Sequence, residues 1–212
     1  MLRAASIAGL LTLLLALPGH SCGQTTYGLT PKGKAVTRLD AGAGLRPVAA
    51  VVLFFIATDC PISNRYSPEL RRLAAEFAGR PIAFWLVYPN AGETGEGVLR
   101  HRASFGGSVD PFQGHVLLHP SAELMAITHA TITPQAMVLV PEKAGAKLKL
   151  VYSGRIDDRY LDIGRERPQA TRHDLELAIR AVLDDQPVSP AGGPPVGCGI
   201  ISEAMLHGGA GK

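Results

Sequence analysis

Residues 49–77 read AAVVLFFIATDCPISNRYSPELRRLAAEF, and this stretch decides the fold. Its first part, residues 49–57, is an unbroken apolar run rich in Val and Phe, which predicts a strand buried on both faces. Cys60 follows directly after this strand. The last part predicts a helix ended by Gly79, because four apolar side chains recur at helical spacing on one face: Leu70, Leu73, Ala74 and Phe77.

Apolar segments further along the chain complete an α/β pattern. Residues 82–88 (IAFWLVY) predict a second buried strand, so the first half forms a right-handed β-α-β crossover. The second half predicts a hairpin and a last helix, with a capping pair of Thr171 and Asp174 at its start. The segments of this half are strands at residues 136–140 and 148–152, a helix at 171–183, and a short helix that Ser121 caps. Together they predict an α/β sandwich.

Composition excludes several classes of protein. The chain has 212 residues, of which 46% are apolar and 18% charged, with a net charge of +3. This apolar fraction excludes a wholly disordered chain, and the length is ample for one core. The Lys and Arg residues are dispersed, so nothing indicates a nucleic-acid partner. Three cysteines are too few for a disulfide-rich scaffold.

The chain divides into four parts by composition. Its centre is the predicted domain, flanked by a polar lead-in with a weakly alternating strand and by a tail rich in Pro and Gly. The boundaries are 1–23 for an export signal, 24–37 for the lead-in, 38–184 for the domain and 185–212 for the tail.

The first segment has the pattern of an export signal. Arg3 precedes the apolar residues 4–17, which end at Pro18. As a helix this run is about 21 Å long, short of the roughly 30 Å hydrocarbon core of a bilayer. A positive start, a short apolar centre and a small-residue end are typical of export signals. A short membrane anchor or a buried helix is the alternative.

Cys22 stands where such a signal would be cut. The string Gly19-His20-Ser21-Cys22 resembles a bacterial lipoprotein acceptor site, although His20 fits it poorly. Lipidation of Cys22, with attachment to a membrane, and ordinary cleavage nearby both remain open.

Cys60 lies where a thiol becomes reactive. The end of a buried strand and the start of a helix offer unpaired backbone N–H groups and the positive end of the helix dipole. Both stabilise a thiolate, so the pKa of Cys60 should fall, while a carboxylate at Asp59 would oppose this. The alternative is a buried cysteine acting as a small hydrophobic side chain.

Around these residues the sequence resembles the thioredoxin superfamily. Residues 55–63 look like its apolar strand and C-x-x-C motif, with Cys60 as the first, nucleophilic cysteine and Ser63 in place of the second. Pro68 matches the kink proline of its active-site helix, and Thr133-Pro134 resembles the Thr-Pro that the family places, with a cis bond, beside the nucleophile. The strings DCPISNRYSPE, TPQAMVL and YSGRIDD resemble exported redoxins of the peroxiredoxin and TlpA-like branch.

This resemblance implies a fold and an activity. The fold is the thioredoxin-like three-layer α/β/α sandwich with a central mixed β-sheet. The activity is thiol-disulfide exchange or peroxide reduction by Cys60 without a cofactor, with a thiol or disulfide protein or a small peroxide as partner. The Thr133-Pro134 loop would present backbone to that partner.

The chain departs from the family at five positions. Ser63 cannot form the local disulfide of thioredoxin, and Asn64 removes the C-x-x-x-C of copper-delivery relatives. The peroxiredoxin pattern P-x-x-x-T-x-x-C would need Pro and Thr where Leu53 and Ala57 stand. Phe54 replaces the buried acid of thioredoxin. Two other residues are candidates to supply a donor and a positive charge to a peroxide: Thr58 and Arg155.

Cys198 is the remaining candidate to pair with Cys60. It lies in the Gly- and Pro-flanked segment 194–200, which could lay it near Cys60 of the same or another copy. Three roles for Cys198 remain open. It resolves a mixed disulfide or a sulfenic acid formed on Cys60, it forms a static structural disulfide, or it stays unpaired.

Histidines offer a weaker signal for metal binding. His115 and His119 lie four apart without a third ligand at suitable spacing, so we predict no metal site there. His129 precedes the Thr-Pro loop and either approaches Cys60 or is part of a loop.

The sequence therefore predicts an exported redoxin with three catalytic residues, Cys60, Ser63 and Cys198. The alternative is a non-catalytic binding or anchoring module with a structural Cys60–Cys198 disulfide. Metal handling by Cys60 with a histidine is a third, weaker hypothesis.

Overall fold

The computed structural model describes most of the chain downstream of the predicted export signal. That signal and Cys22 lie outside the described residues. None of the helices in the described part is long and apolar enough to cross a membrane. The described residues are 25–40, 47–104, 112, 114–142, 147–189 and 192–208.

Strands and short helices alternate along the described chain. The strands are β1 (Gly28–Leu29), β2 (Ala35–Val36), β3 (Ala50–Phe55), β4 (Ile82–Tyr88), β5 (Val116–Leu118), β6 (Ile132–Thr133), β7 (Gln135–Pro141), β8 (Leu148–Gly154), β9 (Tyr160–Asp162), β10 (Arg165–Glu166) and β11 (Cys198–Gly199). The helices are α1 (Pro61–Arg65), α2 (Ser67–Glu76), α3 (Gly95–Ser104), α4 (Ala122–Thr128), α5 (Asp174–Leu183) and α6 (Glu203–Gly208).

A mixed sheet forms the centre of the molecule, with the strand order β2-β1-β5-β4-β3-β7-β8. Strands β3, β4 and β5 run parallel, and β7 pairs antiparallel with β3 and with β8. Helices α1 and α2 lie between the parallel strands β3 and β4 along the chain, as the predicted crossover requires. Two small antiparallel pairs lie outside this sheet, β9 with β10 and β6 with β11.

Both faces of the sheet are covered, which makes three layers. Every residue of β3 is buried, so the strand has a core on each side, as predicted. Phe54 points into the core that includes residues of α2 and α5, whereas Phe55 points into the core that includes residues of α4. Alternate residues of a strand face opposite sides of its sheet, so one continuous apolar run serves both cores. This is the predicted thioredoxin-like α/β/α sandwich.

One predicted helix cap is confirmed and another is wrong. Ser121 caps α4, since its hydroxyl accepts a hydrogen bond from the Leu124 N–H at 3.2 Å, which confirms that prediction. The predicted capping pair of Thr171 and Asp174 is wrong. The Thr171 hydroxyl donates instead to Asp158 at 2.5 Å, and α5 begins three residues later.

We expect Leu70→Ala to lower the free energy of unfolding by about 2–5 kcal/mol, because Leu70 is fully buried in α2 against the sheet. Urea denaturation of the reduced protein measures this change. Leu177→Ala on α5 is the control, because Leu177 is 53% exposed and its truncation should cost less than about 0.5 kcal/mol. Equal losses in the two variants would contradict this assignment of the core.

Candidate functional site

Cys60 lies between β3 and α1, immediately before the helix. It is the N-cap residue, with an extended backbone (φ −86°, ψ 111°), and Pro61 occupies the first turn of the helix. Proline fits there because the first N–H groups of a helix have no partner within it. Only 1% of Cys60 is exposed, so its sulfur lies beneath other parts of the chain.

The Thr133–Pro134 loop covers Cys60 from one side. The peptide bond between these residues is cis. Because β7 pairs with β3, with Gln135 opposite Phe55, the loop just before β7 lies at the same sheet edge as Cys60. The Cys60 thiol donates a hydrogen bond to the Thr133 carbonyl at 3.2 Å. The structure therefore brings together the two motifs that carried the family resemblance.

The tail covers the same loop from the other side. Strand β11 pairs antiparallel with β6, with Cys198 opposite Thr133, and the Ile200 N–H donates to the Thr131 carbonyl at 3.0 Å. A Cβ on Gly197 would lie 2.0 Å from the Thr133 carbonyl oxygen, so this close approach requires glycine. Cys198 Sγ then lies 2.7 Å from Cys60 Sγ, with both cysteines as thiols.

One loop after β4 holds both cysteine-bearing segments in place. The buried Glu93 carboxylate accepts hydrogen bonds from the N–H and the hydroxyl of Thr58, each at 2.9 Å. Asn90 Oδ1 accepts from the Ile201 N–H at 2.9 Å, and the Ala91 N–H donates to the Ile201 carbonyl at 2.9 Å. Sequence reasoning missed Asn90 and Glu93, because polar residues in a Gly-rich loop give no local signal of distant partners.

The two thiols have opposite pKa shifts. Burial raises the pKa of Cys60, but hydrogen bonds from Cys198 and Ser63 outweigh it, so the net pKa lies below that of an ordinary cysteine. Burial, followed by the neighbouring Cys60, raises the pKa of Cys198 to about 12. When the reduced pair loses one proton, Cys60 is therefore the thiol that ionises first, and the Cys198 thiol donates a hydrogen bond to it.

Ser63 is fully buried between the strand end and the thiol. Its hydroxyl oxygen lies 3.4 Å from the Ala57 N–H, and its hydroxyl and backbone N–H lower the pKa of Cys60. Ser63 thus acts on Cys60 as a hydrogen-bond donor.

Two other predicted residues are engaged elsewhere. Arg155 Nε donates to the buried Asp174 carboxylate at 2.6 Å, and both donors of Thr58 are used by Glu93. The Cys60 sulfur makes its hydrogen bonds with Thr133, Cys198 and Ser63 instead. The donor and the positive charge considered for a peroxide therefore stabilise the surrounding loops.

Two of the histidines that the sequence analysis considered have contacts or positions that stabilise the fold. His115 stacks on Trp85 with ring centroids 4.7 Å apart, and His129 ends α4 in a left-handed conformation. Among the described residues, the group of potential metal ligands within 4.8 Å of one another excludes Cys60. It consists of Glu69, Asp157 and His173.

Comparisons with known proteins show the fold alone. No family model and no curated protein matches the chain. An uncharacterized conserved protein from Geobacillus kaustophilus is 22% identical, with 85% of this chain and 90% of that one covered and a TM-score of 0.64. A hypothetical protein from Sinorhizobium meliloti 1021 is also 22% identical, with 84% and 96% covered and a TM-score of 0.62. A secreted Mycobacterium tuberculosis disulfide oxidoreductase, homologous to E. coli DsbE, is 18% identical, with 76% and 96% covered and a TM-score of 0.43.

Ser63→Ala should raise the pKa of Cys60, because the variant removes a hydrogen bond that stabilises the thiolate. A titration of ultraviolet thiolate absorbance, in a Cys22→Ser background, measures the midpoint. Because the pKa of Cys60 is lowered, wild-type Cys60 stays ionised down to a lower pH than an ordinary cysteine. In the variant the thiolate should become protonated at a higher pH. Ser67→Ala is the matched control, and an unchanged midpoint in Ser63→Ala would contradict the role of Ser63.

Asn90→Ala should loosen the tail. Losing one hydrogen bond lowers the free energy of tail opening by about 1 kcal/mol, so alkylation of the covered Cys60 should speed up about fivefold. Iodoacetamide labelling followed by mass spectrometry measures that rate. Asn90→Asp keeps an oxygen acceptor for the Ile201 N–H and should restore slow labelling. Equal labelling rates in wild type, Asn90→Ala and Asn90→Asp would refute this role of Asn90.

Proposed function

We propose that this chain is a thiol-disulfide oxidoreductase in which Cys60 is the nucleophile and Cys198 resolves the intermediate. The observation that carries the proposal is the 2.7 Å separation of the two sulfurs, on a strand-to-helix junction and on a paired tail. The opposite pKa shifts of the two thiols give each a distinct role, since the thiolate is the attacking species.

The reaction proceeds in two exchanges. The Cys60 thiolate attacks one sulfur of a substrate disulfide, which forms a mixed disulfide and releases the other substrate sulfur as a thiolate. Cys198 loses its proton to the released thiolate and attacks Cys60 Sγ. This step frees the second substrate thiolate and leaves a Cys60–Cys198 disulfide. Two electrons pass from the cysteine pair to the substrate.

Surrounding groups position these steps. Ser63 stabilises the Cys60 thiolate through hydrogen bonds, and the Thr133 carbonyl accepts a hydrogen bond from Cys60 while Cys60 is protonated. Cys60 is 1% exposed beneath the tail, so β11 has to leave β6 before a protein disulfide can reach Cys60. Asn90 and Ala91 then guide the tail back to bring Cys198 onto the mixed disulfide.

A small peroxide is a second substrate that the same pair supports. The Cys60 thiolate displaces an alkoxide or hydroxide from the peroxide and becomes a sulfenic acid. Condensation with the Cys198 thiol releases water and forms the same disulfide. Disulfide exchange remains the first choice, because Arg155 pairs with Asp174 and gives the peroxide no positive charge.

We place the protein outside the cytoplasm, on the apolar segment at residues 4–17 and the small residues before Cys22. Lipidation of Cys22 would attach it to a membrane. An oxidising compartment also suits the competing function, a non-catalytic binding module with a permanent Cys60–Cys198 disulfide.

The reduced protein, as the full chain with Cys22→Ser, should form a Cys60–Cys198 disulfide after one equivalent of hydrogen peroxide. Cys198→Ser in the same background should stop at a sulfenic acid on Cys60, because its resolving thiol is gone. Mass spectrometry with thiol and sulfenic acid trapping measures both products. A reduction potential well above about −300 mV supports turnover. An unreactive Cys60, or a bond below that potential, would favour the non-catalytic module.

A further inference from the structure

The two sulfurs differ in how far solvent reaches them. Cys60 is 1% exposed, whereas Cys198 is partly exposed on the outer side of the pair. A disulfide between them would keep this arrangement, since the sulfurs already lie 2.7 Å apart. A reductant that approaches the oxidised protein from solvent therefore meets Cys198 first.

A cavity opens beside Cys198. Its volume is about 290 Å³, and it lies between α1, the β9–β10 hairpin and the tail. Apolar and aromatic residues form much of its wall, with Gly197 and Cys198 on the tail side. These residues are Pro61, Ile62, Ile163 and Tyr160.

One feature of this cavity is unusual for a surface without a ligand. Ile163 is 72% exposed at the turn of the hairpin, although an isoleucine side chain is stabilised by removal from water. The Tyr160 hydroxyl interacts with Arg65 and Glu166 on the same wall. An occupant with an apolar body would cover Ile163.

The chemistry of exchange favours attack at Cys198. Thiol-disulfide exchange is faster when the expelled thiol has the lower pKa. Attack at Cys198 expels Cys60, whose thiolate is stabilised by Ser63. Attack at Cys60 would expel Cys198, whose pKa is raised. Access and leaving-group quality therefore point to the same sulfur.

We propose that this cavity binds a small apolar thiol, which reduces the oxidised protein by attacking Cys198. The proposal rests on the function proposed above. The bound thiolate attacks Cys198 Sγ, so a mixed disulfide forms on Cys198 and Cys60 leaves as a thiolate. A second molecule of thiol, as its thiolate, attacks the small-molecule sulfur of this mixed disulfide. Its products are a small disulfide and the Cys198 thiolate, which takes up a proton.

The size and surroundings of the cavity favour a small molecule over a peptide. Its volume is near the lower end of the roughly 300–1,000 Å³ of small-molecule sites. An extended peptide would need the free backbone of β6 to add a strand, and β11 occupies that backbone while Cys198 is in place. Arg65 and Glu166, which form an ion pair at 3.0 Å, also line the cavity.

The first test maps the mixed disulfide. Full-length Cys22→Ser protein is oxidised, mixed with limiting phenylmethanethiol, and quenched with acid and N-ethylmaleimide. Peptide mapping should find the phenylmethylthio group on Cys198 and N-ethylmaleimide on Cys60. The reverse labelling would overturn the proposal.

The second test changes the cavity wall. Ile163→Asp should slow reduction by phenylmethanethiol about tenfold, because a carboxylate replaces apolar wall. Leu161→Asp is the matched control, since Leu161 is exposed on the same hairpin and does not line the cavity. Reduction by 2-mercaptoethanol should change less than about twofold in both variants, which separates cavity binding from charge repulsion. Equal slowing by both aspartates, or of both thiols, would refute cavity binding.

The outcomes also separate this proposal from the function it rests on. If diamide never produces a Cys60–Cys198 bond, both proposals fail. In another outcome the bond forms, but phenylmethanethiol reduces it no faster than 2-mercaptoethanol does. If thioredoxin, which has two active-site thiols, then reduces wild type and Ile163→Asp equally well, only the cavity proposal fails. The cavity proposal is supported if the rate of reduction saturates with phenylmethanethiol concentration in wild type and this saturation is lost in Ile163→Asp.

Discussion

The backbone pairing of Cys198 with Thr133 is the contact on which the whole site depends. The same Thr133 carbonyl accepts a hydrogen bond from the Cys60 thiol, so one residue beside the cis peptide bond positions both sulfurs. Gly197 makes the approach possible, because any side chain there would collide with that carbonyl. Loss of this pairing would separate the two cysteines. Cys60 would still lie at the start of α1 and would keep its hydrogen bonds with Ser63.

This pairing also has a consequence for access. The family resemblance assigns the Thr133-Pro134 backbone to partners, and here the chain's own tail occupies it. Under the proposed function, a protein disulfide would have to displace the tail, whereas a small thiol would reach Cys198 through the cavity beside α1. The two proposed half-reactions would then use different routes to the same pair of sulfurs, and the hydrogen bond from Ile201 to Asn90 would oppose the first of them.

Much of the fold could be predicted from local sequence. The continuous apolar run before Cys60 became β3, buried throughout, and residues 82–88 became β4 with the predicted bounds. Short runs of this kind predict a strand well, because a strand with a core on both sides needs apolar side chains at every position. The start of α5 was wrong, because Asp158, brought close only in the folded chain, takes the Thr171 hydroxyl.

The sequence by itself determined the central strand, the helix after it and the placement of Cys60 between them, since each depends on neighbours within a few residues. It also marked the Thr133-Pro134 loop and the candidate thiol Cys198. Only the tertiary structure decided that Cys198 lies against Cys60, that Glu93 and Asn90 hold the two segments, and that a cavity adjoins the pair. These contacts join residues 35 to 138 positions apart, and no local pattern of side chains encodes which distant backbone groups will meet.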